Sequence, residues 1–552
     1  MNKENDQGTT AYGKRGWVIS IGFSALFAIC MNFGKSLDLQ GSVTFKSPLM
    51  WGYILLTAIG GTFLTSFLWK TLLKAEDRKG EEKIQKISAR DFFFTAGIIF
   101  LCYLPVFLGV YPGFFVYDAQ DELMQVITRN FSTHHPLVHV LLLGGIIQLV
   151  HKISGSYNLG IACYTLFQMT VLSCIFSYAI CRLRKEGMGK KGSLAMALYL
   201  GLFPTIVMFS LCSAKDGLFT GMLLLTVLQL RELMKDPERF FSNKASVILL
   251  LAASIFMMLF RHNGFYAFLV SAVVMLLWRK AAGLSKYLKK LLLLFGGILI
   301  IYMTVSKGFA LALHAKSSEH QEMLTVPIQQ LARVYTMEKD AFSQEEKSIL
   351  YEILPKEALE RYTPKVSDGV KISFCNEAYE KNPSRYRMLW VKTGLRHPFA
   401  YLNAWFMTSY GFWYPDTVID VYRGNTVFTF TYGDSSYFGY EVEEPGERHS
   451  LIPFLDECYR KMSLEPGIQQ IPIVSWLFSP GFLFWTAAFI LGYFLYAGHY
   501  KKLLPYLLPV FLWLTVILGP TFLVRYVVFL WILMPVLLWD LTRPQSSMEK
   551  QR

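Results

Sequence analysis

Hydrophobic residues in this chain run in long unbroken blocks rather than in stripes. Stretches 248–260, 291–305 and 531–539 carry almost no polar residue. A helix on a soluble core shows one apolar face, whereas these blocks are apolar all round, as contact with lipid requires. They predict membrane helices at 17–34, 49–72, 91–111, 159–181, 192–211, 216–232, 245–260, 263–280, 290–313, 478–497, 503–520 and 522–541. A further apolar run, 136–150, is short for a span, and counting it would turn three later basic clusters outward. It reads as a re-entrant or juxtamembrane helix on the outer face. The expected fold class is mainly α: a polytopic membrane protein of about twelve spans with an inserted extracytoplasmic α+β domain. The divisions are 1–16, a cytoplasmic N-terminus; 17–313, a membrane core with a catalytic outer loop at 112–158; 314–475, the outer domain; 476–541, the C-terminal helices; and 542–552, a cytoplasmic tail.

Charge sets the orientation. The 552 residues carry a net charge of +14, yet 314–475 holds 17 basic and 22 acidic residues, leaving 37 and 18 elsewhere. The basic excess falls in short clusters between apolar blocks, at 70–90, 182–191, 231–244, 279–290 and 501–502. That is the pattern of cytoplasmic loops and not a nucleic-acid footprint. At 53% hydrophobic and 17% charged, the composition excludes a soluble enzyme and a disordered chain. The N-terminus reads as an uncleaved anchor. Of eight cysteines, six lie in or beside spans, where a thiol packs as a small apolar group. Cys375 and Cys458 alone fall in the outer domain and are the one pair open to a disulfide. No spacing matches a zinc site, a Walker loop or a dinucleotide loop.

The candidate chemistry gathers in the outward loops. The first large one reads Tyr117-Asp118-Ala-Gln-Asp121-Glu122, then Ser132-Thr-His134-His135-Pro136. Residues 119–129 suit a short amphipathic helix with Leu123, Met124, Val126 and Ile127 toward lipid or protein and Asp118, Asp121 and Gln125 on the other face. Taken alone, Asp118 reads as an N-cap with acidic residues in the first turn. Three carboxylates beside two histidines at a membrane surface also offer a general base and binding donors. Lys215-Asp216 forms another outward turn, where Asp216 suits an N-cap while a cation on that side runs against the charge bias. Arg261-His262 forms the next. Arg525-Tyr526 interrupts an apolar run, and a charge at that depth either snorkels or marks a site. A cationic set beside an acidic cluster suits a phosphorylated lipid, with cations on the phosphate and a carboxylate handling a proton.

These residues resemble the GT-C superfamily of polytopic glycosyltransferases, which use polyprenyl-phosphate-linked sugars, and most closely an uncharacterised bacterial multi-pass family within it. The resemblance covers roughly 91–313 and 478–541 and rests on Tyr117-Asp118-x-x-Asp121-Glu122, His134-His135-Pro136, Lys215-Asp216 and Arg525-Tyr526. It implies that Asp118 or Asp121 is the base toward the acceptor, that Asp216 is the second acidic position, and that Arg525 is a phosphate ligand. Glu122, His134, His135, Lys215, Arg261, His262 and Tyr526 complete the expected substrate site. Many members separate their acidic residues by one position, so the Asp-x-x-Asp-Glu spacing leaves the base open, and the acidic residues permit Mg²⁺ or Mn²⁺. The implied partners are a polyprenyl-phosphate sugar donor and an envelope polymer, lipid or protein acceptor, at a bacterial plasma membrane, with no nucleic acid. Transfer is expected as a single displacement with inversion.

In the outer domain, helices are expected near 319–337, 343–353 and 376–396, and strands over 418–442. The aromatic segment 397–415 suits the membrane interface; the sharper expectation is that Trp405, Tyr410, Trp413 and Tyr414 hold an acceptor glycan. The competing functions are a flippase or transporter, and a non-catalytic binder of a charged lipid or glycan. Transporters place ionisable groups near the midplane, on broken helices in paired halves. Here charges collect at one face, which favours the enzyme.

Overall fold

The structure, a computed structural model, describes residues 4–76, 86–317, 319–419, 440–465 and 467–543. Seven helices are long and apolar enough to cross a membrane: Lys14–Gln40, Pro48–Glu76, Ala89–Gly109, Leu137–Ser154, Tyr157–Lys185, Asp216–Lys235 and Ser285–Ala312. Lys190–Leu202 and Pro204–Leu211, bent by 58° at their junction, form a broken span or a re-entrant loop. Proline at the start of the second piece supplies no N–H to the first and disfavours helical geometry at Phe203, so the axis breaks there. Four shorter apolar helices follow the same composition: Lys244–Phe260, Asn263–Leu277, Pro480–Tyr496 and Phe529–Thr542. The architecture is that of a helical, multi-pass membrane protein.

One expectation changes. The run at 136–150 is an 18-residue helix, Leu137–Ser154, extended to Gly155, whose left-handed backbone caps it. By length and composition it qualifies as a span. It nevertheless folds back along the first half of its neighbour: His139 meets Tyr164, Ile147 backs Gly160 and His151 stacks on Tyr157. The second half of Tyr157–Lys185 continues without it. In the outer region the described residues are helical. Among the described residues no strand forms, only isolated bridges such as Thr363↔Val366, and most of the segment expected as strands, 420–439, lies outside those residues. Thr325–Met337, Gln344–Ile353 and Pro383–Arg396 agree with the patterning and enclose a small core of Ile328, Leu331, Leu350 and Ile353. Cys375 and Cys458 are free thiols; the first caps a short helix of this core, and the second lies on Pro453–Leu464, which packs against Ala89–Gly109.

Small residues let the bundle close. Gly34 seats the Tyr414 ring, Gly492 seats Trp69, and Gly144 seats Val126; a Cβ at any of them would lie 2.3–2.7 Å from its neighbour. The same packing removes the proposed glycan shelf. Tyr410 is fully buried, Trp413 and Tyr414 are 7% and 8% exposed, and the Trp405 indole donates to the Ile517 carbonyl at 2.8 Å. The Tyr410, Trp413 and Tyr414 rings are packed into the bundle and offer no open face to a sugar, while Trp405 is half-buried.

Asp216–Lys235 gives the bundle its depth. Twenty residues make a helix about 30 Å long, the thickness of a hydrocarbon core. Its Leu218–Leu230 stretch is buried apart from half-buried Met222, with charge only at the ends. At one end Arg231 donates to Asp540 at 2.7 Å and to Glu186 at 3.1 Å, and the Tyr506 hydroxyl donates to Asp540 at 2.7 Å. At the other end stands Asp216, which opens the candidate site.

Candidate functional site

Four separate loops bring their charges to one place. Asp118 precedes the helix Ala119–Thr128, yet its side chain makes no cap hydrogen bond. It turns inward instead, accepting from Lys215 Nζ at 2.5 Å and Arg525 Nη2 at 2.8 Å. Asp216 is the first residue of its helix and wholly buried, with one oxygen on Arg261 at 2.6 Å and the other on Arg525 Nε at 2.9 Å. Arg525 therefore bridges two carboxylates. It is 6% exposed, which answers the snorkelling alternative. Its guanidinium lies 4.2 Å from the Tyr117 ring centre, and Arg261 lies 5.1 Å from that of Tyr526. Tyr117 holds a positive φ of 67°, a costly conformation for a bulky residue, immediately before the acidic group it serves.

The loop is anchored from behind. Phe114 bridges to Cys212, and Gly113 sits at φ +124° where a Cβ would fall 2.4 Å from Thr165 Oγ1. That pairing ties the loop to the turn carrying Lys215 and Asp216.

The face assigned to the loop helix needs correction. Glu122, not Asp121, shares the inward side with Asp118, because Ala119, Leu123 and Val126 set the phase against Leu137–Ser154. Asp121 is exposed, Met124 and Ile127 are 43% and 39% exposed, and Gln125 accepts from the Ser132 amide at 2.9 Å. Of the expected substrate residues, His135 is buried and joins the cluster, 3.2 Å from Lys215 Nζ. His134 is exposed and packs edge-on to His135, while His262 is exposed and reaches the Thr133 carbonyl. Both stand at the rim.

Residues missed in the sequence complete the interior. Glu122 pairs with His139, whose Nε2 is 2.8 Å from the Tyr164 hydroxyl. Gln168 stands beyond, 3.3 Å from that hydroxyl, and donates to the Cys212 carbonyl at 2.7 Å. A histidine and a glutamine inside apolar runs were the available signal, since such groups are costly in lipid unless partnered. Glu443, from the far end of the outer region, is fully buried beside the loop and accepts from the Gln120 amide at 3.3 Å.

Electrostatics separate the acids. Burial would raise Asp118, but Arg525 and Lys215 outweigh it and hold the carboxyl well below its usual range, so it stays ionised. Burial, with Lys215 beside it, depresses His135 to about 4, leaving a neutral ring whose Nδ1 accepts from the ammonium. Glu443 goes the other way: burial, then the nearby Asp118 and Asp121 charges, raise it to about 9, so it is protonated at neutral pH. Because its folded value lies above the unfolded one, it contributes stability below about pH 5 that is lost as pH rises toward 9. Glu443→Gln is expected to flatten that slope, by up to about 1.4 kcal/mol per pH unit, in thermal unfolding from pH 5 to 9. Parallel curves for the two proteins would contradict the assignment.

Asp118, Glu122 and His135 have the chemistry of a metal-ligand set, with one atom from each within 4.8 Å of the others. The place a cation would take is filled by Lys215 Nζ, so the set does not fit a metal as it stands.

The fold and site define a multi-pass membrane protein with a buried ion-pair centre where its loops converge. The chain belongs to the family described as a family of unknown function (DUF6020), whose model matches residues 126–552. No curated protein and no solved structure matches it.

Proposed function

We propose that this protein is a membrane glycosyltransferase that moves a sugar from a polyprenyl-phosphate donor to a cell-envelope acceptor. In this reading the site lies on the extracytoplasmic face of a bacterial plasma membrane, twelve helices span, both termini are cytoplasmic, and 314–475 is extracytoplasmic. The observation that carries it is Asp118: an ionised carboxylate held by Lys215 and Arg525, beside a second arginine, at the mouth of a membrane bundle. Among the described residues Arg261 gives one nitrogen to Asp216 and keeps donors for a substrate anion. As the sugar departs, negative charge grows on the phosphate, and fixed cations in a partly dry site stabilise it. Asp118 accepts the proton of the attacking hydroxyl.

A lipid chain also has a place. Phe484, Leu491, Trp513, Phe529, Leu533 and Leu537 help line an apolar cavity of about 360 Å³, and Phe529 lies four residues beyond Arg525 in the chain, at the start of its own helix. Leu533→Trp is expected to raise KM for long-chain donors tenfold or more with kcat unchanged, and to spare short-chain analogues. Equal effects on both would remove the cavity from the account. The reading itself is tested with purified protein in lipid and a panel of polyprenyl-phosphate sugars, measuring release of polyprenyl phosphate. One observation favours transport: the helix broken at Phe203 leads directly to the Lys215 turn, and broken helices serve transporter sites.

A further inference from the structure

We infer that the Lys215 ammonium is the resident cation of the Asp118–Glu122–His135 centre, and that this centre works without a divalent metal. The inference stands on geometry and holds whatever group the site transfers. Lys215 Nζ lies 2.5 Å from Asp118 Oδ2, 3.5 Å from Glu122 Oε1 and 3.2 Å from His135 Nδ1, touching all three would-be ligands at once. The ammonium directs hydrogens to Asp118 and His135, and Glu122 Oε1, which accepts no hydrogen bond, faces it as an ion-pair partner. Each is supported from behind: Asp118 by Arg525, Glu122 by His139, and His135 by the start of Leu137–Ser154.

Charge makes the same point. Asp118, Glu122 and Asp216 are matched one for one by Lys215, Arg261 and Arg525. A divalent ion would add two uncompensated charges to it. It would also need oxygens at about 2.1 Å, space that Nζ occupies. Lys215 is poorly placed to withdraw, because its turn is held by the Ser213 amide on the Phe114 carbonyl at 2.9 Å and the following helix starts at Asp216. A side chain therefore supplies here what a metal supplies elsewhere: a fixed positive charge set against Asp118 and facing an incoming anion. Removing it creates the vacancy. Lys215→Met leaves the cluster one negative charge in excess around a carboxylate, carboxylate, imidazole set, which suits Mn²⁺ or Co²⁺.

The test uses the full-length protein in detergent, with Mn²⁺ and Co²⁺ as probes and thermal unfolding, metal content after dialysis and the visible Co²⁺ spectrum as readouts. The wild type is expected to bind no ion dependent on His135, and to unfold at the same temperature with EDTA or with 1 mM Mn²⁺. Lys215→Met is expected to bind one equivalent and to gain several degrees with Mn²⁺, with both effects absent in Lys215→Met/His135→Ala. A wild-type protein that retains one ion and loses it in His135→Ala overturns the inference. So does a folded Lys215→Met that takes up no metal. Should that variant fail to fold, the wild-type arm decides alone. None of these readouts depends on glycosyl transfer, so failure here and failure of the transferase reading are separable.

Discussion

Arg525→Met is expected to be the most destabilising single change in the site. Arg525 bridges Asp118 at 2.8 Å and Asp216 at 2.9 Å, and Asp216 has no exposure to water. Breaking a buried ion pair by removing one partner costs about 3–5 kcal/mol, because the charge left behind is desolvated without compensation. Arg261 still holds one Asp216 oxygen, so the loss should fall short of two full pairs. Arg525→Lys restores charge but cannot fork between two carboxylates, and should recover less than half. The decisive comparison is Arg525→Met with Arg525→Met/Asp216→Asn, followed by thermal unfolding: the second change removes the stranded charge and should return stability. If Arg525→Met shifts stability by less than about 1 kcal/mol, the bridge is a solvated surface pair and the site as described does not exist.

Asp118→Asn is expected to have the largest effect on chemistry. Asparagine keeps the shape and a hydrogen-bond acceptor for Lys215 and Arg525 but cannot take a proton. Loss of a positioned base lowers turnover by about 10²–10⁴-fold. The cluster gains one net positive charge, so binding of an anionic donor should hold or tighten, and the loss should fall on kcat rather than KM. Asp121→Asn should leave turnover within about twofold, since Asp121 stands on the exposed side of the same helix. These two aspartates were equivalent candidates in the sequence, and the pair of variants separates them. Equal losses in both would move the proton acceptor off Asp118.

The particular residues show what sequence can carry. Asp118, Lys215, Asp216, Arg261 and Arg525 were legible because charge within or beside apolar blocks is costly and so draws attention wherever it stands. Their mutual pairing was not, since it joins positions up to 407 residues apart. The inward turn of Glu122 was illegible for a local reason: a ten-residue helix fits two phases, and Val126 against Gly144 chose between them. His139 sits in 136–150, an apolar run short for a span in the sequence, although the helix continues to Ser154 before Gly155 caps it. Glu443 lay in ordinary polar sequence, and nothing local marks it for burial. The aromatic segment 397–415 looked like a binding shelf because its seats, Gly34 and Gly481, belong to distant helices.

In the proposed reading the converging ion pairs cleave a lipid-linked sugar rather than carry one across. Sealed proteoliposomes containing the wild-type protein, with labelled polyprenyl-phosphate sugar in both leaflets and acceptor on one side, test it directly. A transferase releases polyprenyl phosphate and glycosylates the acceptor on the side of the site, both lost in Asp118→Asn, with intact donor staying in its leaflet. Intact donor crossing between leaflets without cleavage, equally in wild type and Asp118→Asn, would contradict it.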